Sequence, residues 1–173
     1  MKKIEIAKEI RDTFKNIDDT YFKNEYEYRF FDKMSLLDNE DVKKYKKNEL
    51  LDVLNQLKEI SKRELSDVIE IFGYFGRRNK RFVSKVIAIT QEQKNFFEKL
   101  LKKLKETNDF KYRLLIEKIA NKFGLHRVNQ QNMPSISIRK NYIDYQDKYN
   151  KKNIEILKKF LKEIDEEALE IKH

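Results

Sequence analysis

Arg77, Arg78, Lys80 and Arg81 put four cations into five residues, with Phe72, Tyr74, Phe75 and Phe82 on either side. The stretch FGYFGRRNKRF also holds Gly73 and Gly76, two of the three glycines in the chain. Arginine's planar guanidinium matches the oxygens of a phosphate, and aromatic faces stack on bases. Glycine permits positive φ angles and close approach of the backbone to a ligand. The spacing is not that of a P-loop, which needs G-x-x-x-x-G-K-[ST]. Two readings stand side by side. In one the cations contact phosphate. In the other Gly73 terminates a helix, the phenylalanines are core, and the cations decorate a solvated turn.

A second set of polar side chains lies in IEKIANKFGLHRVNQQNM, residues 116–133. Ala120 and Gly124 stand in a register that resembles the first helix and turn of a helix-turn-helix, where a small residue lets two helices approach and a glycine makes the turn. The following segment would be the recognition helix. It offers His126, Arg127, Asn129, Gln130, Gln131 and Asn132, and Arg reads guanine edges while Asn and Gln read adenine. The match departs where an apolar residue should be buried, because Gln130 occupies that place. Pro134 would end the helix after barely two turns. SISIRK could then form a wing-like strand carrying Arg139 and Lys140. The simpler reading, and the preferred one, is a helix ended by Gly124 and followed by an irregular polar loop.

Ile154, Leu157, Leu161, Ile164, Ala168 and Ile171 step by 3, 4, 3, 4 and 3 residues, a heptad seam. It suits either a homodimer or protein partner, or a helix docked on its own bundle. Docking is preferred, because Tyr142, Tyr145 and Tyr149 flank the seam and Ala168 buries little. Signals for catalysis are thin, and the expectation is a non-enzyme without metal or cofactor. Glu170 and His173 have the i, i+3 spacing of a carboxylate–histidine pair but lack a second pair. Catalytic carboxylates on helices stay open, since 30 acidic residues produce many chance pairs.

The elements that must carry these residues read as helical. The chain has 173 residues, one proline and no cysteine, which excludes disulfides, thiolate zinc sites and a cysteine nucleophile. Charged residues reach 40% and interrupt every apolar run, so no membrane span, lipidation cysteine or secretory leader is expected. Aromatics at 12% argue against disorder. Helical periodicity is read over 2–17, from Asp18 or Asp19 through Met34, and over 47–60. Ser61 with Glu64 then fits a capping box for a helix through Leu65, Val68, Ile69 and Phe72. Phe82 to Ile87 reads as a short helix, and Thr90 with Gln93 caps the one that follows. Leu114 to Phe123 forms another, ended by a left-handed Gly124. Ile136 and Ile138 permit a strand or small hairpin near 135–139, and a long amphipathic helix covers about 141–171.

The expected fold is therefore all-α, a multi-helix bundle forming a single domain over 1–173. The net charge of +9 is uneven: residues 61–152 hold 22 Lys and Arg against 10 Asp and Glu. A basic centre of this kind is the electrostatic footprint of a nucleic-acid-binding protein. The reading is a small, basic, cytoplasmic DNA- or RNA-binding protein, with Arg77, Arg78, Lys80, Arg81, Arg127, Asn129, Gln131, Arg139 and Lys140 as contacts. DNA is slightly preferred, on the helix-turn-helix register alone. The alternative is an interaction or scaffold subunit that docks through its C-terminal helix and a basic face.

Overall fold

The computed structural model describes residues 1–164. Two compact units emerge, Met1–Leu65 and Ser66–His173, each with a hydrophobic core of its own.

The first unit is helical. Helices α1 (Lys3–Lys15), α2 (Glu25–Ser35), α3 (Asn39–Lys43) and α4 (Lys47–Ser61) close around Ile6, Ile10, Phe31, Met34, Leu50, Leu54 and Leu57. Local chemistry sets the breaks. Asp18 caps a 3₁₀ turn at Asp19–Tyr21, where the backbone N–H of Thr20 and then its hydroxyl hold the Asp18 carboxyl below its ordinary range. The Asn24 side chain, rather than Asp18 or Asp19, caps α2 by accepting from the Glu27 N–H at 2.9 Å. The SLLDNED stretch breaks the chain after α2 and then starts α3, capped by Asp38. The Arg11 guanidinium donates to the carbonyls of Ser35 and Leu37 at 3.3 and 3.2 Å, satisfying groups that the end of α2 leaves free.

The second unit overturns the all-α expectation. Strands β1 (Ser66–Phe75), β2 (Arg81–Ala88) and β3 (Ser135–Asn141) form an antiparallel sheet in the order β2-β1-β3. Helices α5 (Gln91–Thr107), α6 (Phe110–Asn121) and α7 (Lys148–Glu163) supply the rest. The proposed helices through Leu65–Phe72 and Phe82–Ile87 are strands. Val68, Ile69 and Ile71 in β1, and Val83, Val86 and Ile87 in β2, are β-branched, a type that loses side-chain freedom in helices and packs well on a pleated sheet. Ser61 caps nothing: its hydroxyl donates at 2.6 Å to the Lys58 carbonyl at the end of α4. The Thr90–Gln93 capping box does form, with reciprocal bonds of 3.0 and 3.1 Å. The strand foreseen near 135–139 is β3.

One face of the sheet presents Ile69, Ile71, Ile87 and Ile136 to Phe97, Leu100, Tyr112, Ile116, Ile119 and Leu157 of the helices. Ile143 covers Val68 and Ala88 at one end of the opposite face. The seam of α7 docks inside this unit: Leu157 is buried, and Ile154 and Leu161 pack against the same core. The helix begins at Lys148, because Asp147 caps it, rather than near 141. Ala168, Ile171, Glu170 and His173 lie outside the described residues.

Gly73 sits in β1, not at a helix end. A Cβ there would stand 2.9 Å from the Leu125 Cβ, an atom carried by backbone. Gly73→Ala should therefore lower stability by about 1–3 kcal/mol, despite the entropy that alanine removes from the unfolded chain. Urea denaturation measures this, and truncating Leu125 to alanine should not restore stability because the clashing Cβ remains. Leu157→Ala should cost about 2–5 kcal/mol in the same assay, as expected for a leucine deleted from a closed core.

Candidate nucleic-acid interface

β1 and β2 are joined by a five-residue loop, Gly76–Lys80, between paired Phe75 and Arg81. Gly76 takes φ +99°, a conformation that L side chains rarely adopt, and a Cβ there would also meet the Asn79 carbonyl oxygen at 3.0 Å. The loop turns tightly and lifts its side chains away from the sheet. Arg77, Arg78, Lys80 and Arg81 are all exposed. None of them pairs with a described carboxylate, as Arg63, Lys94, Arg127 and Arg139 do elsewhere in the chain. Four positive charges close together thus stay fully available to an external anion.

Alternation along the strands sorts the flanking aromatics. Phe75 shares its face with Arg81 and Lys85, and its ring rests on Gly124. Lys85 donates to the Tyr149 hydroxyl and lies 4.9 Å from the centre of that ring, so this cation is occupied by α7. Phe72, Tyr74 and Phe82 point to the other face. The Phe72 and Phe82 rings stack with centroids 6.0 Å apart at 9°, and Tyr74 meets Phe82 edge-on at 5.3 Å.

The second predicted contact set divides. The recognition helix over 126–133 does not form. Gly124, at φ +78°, ends α6 with the Leu125 N–H donating to the Ala120 carbonyl and the Gly124 N–H to that of Asn121, both at 3.1 Å. The chain then extends: His126 exchanges two backbone hydrogen bonds of 3.0 Å with Tyr74 and adds a short bridge to the edge of β1. Leu125 is thereby drawn into the core beneath Gly73, which a recognition helix would forbid. Asn129 makes a turn by accepting from the backbone N–H groups of Gln131 and Asn132 at 2.9 and 3.0 Å. Its side-chain oxygen is spent there. Arg127 faces Glu117 on α6 at 3.3 Å, which neutralises it locally. Gln131 is exposed.

The bridge at His126 brings this loop to the hairpin end of the sheet. Arg139 and Lys140 are not brought there. Arg139 pairs in register with Val68, seven positions along β1 from Phe75, about 23 Å at the usual strand rise. Its charge is apposed to Glu70 at 3.1 Å. Lys140 is exposed beyond it. The hairpin loop therefore carries a close group of cations without a described carboxylate partner, whereas Arg127 and Arg139 have intramolecular counter-charges.

Among the described residues no group of three or more His, Asp or Glu is placed to hold a metal ion, and no helix is long and apolar enough to cross a membrane. No protein-family model, curated protein or solved structure matches the chain.

The hairpin geometry rests on Gly76. Gly76→Val should cost about 1–3 kcal/mol, from the disfavoured φ and from the Asn79 carbonyl beside the new side chain. Thermal unfolding without any ligand should show the loss.

Proposed function

We propose that this chain is a cytoplasmic nucleic-acid-binding protein whose principal contact is the β1–β2 hairpin loop. One observation carries the reading: Arg77, Arg78, Lys80 and Arg81 are exposed together on one tight loop with no described carboxylate partner. Keeping like charges close and unneutralised is unfavourable unless an anion relieves them. The charge distribution supports the same partner. Met1–Leu65 has 15 Lys and Arg against 15 Asp and Glu, so the whole +9 belongs to Ser66–His173.

The preference for DNA rested on a recognition helix. With a bridge and an Asx turn in its place, the reading no longer favours duplex DNA. Arg127, Asn129, Arg139 and Lys140 also fall back, since the first three are engaged within the protein and Lys140 lies far along the sheet. The competing reading, a subunit docking through its heptad face, has lost most of its described surface: Leu157 is 1% exposed and its neighbours pack on the same core.

Replacing Arg77, Arg78 and Arg81 together by alanine tests the proposal. The variant should fold normally, because exposed cations contribute little to stability. Its affinity for all nucleic-acid sequences should fall about equally. The slope of log affinity against log salt should shrink by roughly 0.7–0.9 for each lost phosphate contact. A folded variant that binds as well as wild type at matched salt overturns the assignment.

A further inference from the structure

We infer that the open face of the sheet beside the hairpin is a stacking platform for unpaired bases, so that the partner is single-stranded nucleic acid rather than duplex. This rests on the reading of the hairpin loop as a phosphate contact and adds what the strand's bases would do. Register places Phe82, Tyr74 and His126 in one row across the three chain segments, and Ser84, Phe72 and Ser135 in the next. All six side chains therefore share one face. At the far end that face is closed by Ile143 over Val68 and Ala88. At the hairpin end it stays open, with Phe82 61% exposed and Phe72 and Tyr74 half-buried.

Aromatic rings left in water on a sheet, immediately beside a cationic loop, combine the two elements that single-strand binders use. Rings stack on bases of any sequence, and cations follow the phosphates. A duplex cannot use such a platform, because its bases already stack on one another and offer only their edges. Charge complementarity selects this occupant over an apolar protein surface: an apolar partner would have to bury four unpaired cations at its rim. The Ser84 and Ser135 hydroxyls flank Phe72 and are placed to donate to base edges or to a ribose hydroxyl.

The chain contains no tryptophan, so Phe82→Trp introduces a single reporter on the platform. Three probes of equal length are titrated at one salt concentration: single-stranded oligothymidine, a mixed-sequence duplex, and an abasic strand with the same phosphates. The single strand should quench the tryptophan and bind the wild type, followed by anisotropy, more tightly than either other probe. Phe82→Ala and Tyr74→Ala should each weaken the oligothymidine complex roughly ten- to hundredfold while leaving the abasic affinity and the salt slope unchanged. Phe82→Tyr, which keeps the ring, should bind as wild type does. Equal affinity of wild type for the abasic and base-bearing strands overturns the platform and leaves the cationic loop intact. Tighter binding of duplex than of single strand also overturns it. Failure of all three probes to bind removes the hairpin reading as well.

Discussion

The Leu125 Cβ lies so close to β1 that only glycine fits opposite it, and much of the second unit follows from that contact. Gly73 lets Leu125 pass beneath the strand into the core. The residue after it, His126, is then held in register with Tyr74 by two backbone hydrogen bonds. That pairing draws the loop after α6 onto the sheet edge. It also excludes a helix there, because the backbone groups of 125–126 are committed to other partners. Gly124 serves the same junction from the other side: its positive φ ends α6, and its missing side chain leaves room for the Phe75 ring.

Placing the sheet's two faces in different environments creates the candidate site. The aliphatic face is consumed by α5, α6 and α7, and with it the docking surface suggested by the α7 seam. The other face keeps its aromatics only partly covered. Phe72, Tyr74 and Phe82 also stabilise the hairpin as cross-strand pairs, worth a fraction of a kcal/mol to about one each. One set of rings thus holds the hairpin together and presents flat apolar surface beside its loop. The loop is polar and tightly turned, so its cations project into solvent instead of folding back to carboxylates.

Local signals with a nearby chemical cause were legible along the chain. The Thr90–Gln93 box, the left-handed Gly124, three of the four α-helices of the first unit and the alternating Ile136 and Ile138 all depend on residues a few positions apart, while the short α3 was read only as a break. The free cations of 77–81 were legible as well, because four charges in five residues leave few ways to neutralise them all. What misled was the helical spacing of Leu65, Val68, Ile69 and Phe72 within a short, mostly apolar stretch. Such a stretch fits a buried helix as well as a strand, and periodicity alone does not separate them. The β-branched residues and the glycine-containing loop between two apolar runs were the available hairpin signal.

The sequence by itself determined the charge imbalance, the aromatic and cationic composition of the hairpin, and two helix ends, the start at Thr90–Gln93 and the stop at Gly124. These depend on residue type and on hydrogen bonds within one turn. Only the tertiary structure decided which face each aromatic occupies, that Arg127 and Arg139 meet Glu117 and Glu70, and that 125–132 is a bridge and turn instead of a recognition helix. Those outcomes turn on strand register and on a contact between residues 52 positions apart, Gly73 and Leu125. No local pattern encodes such a pairing, because it is chosen by which backbone groups and side chains can be satisfied together once the sheet has closed against its helices.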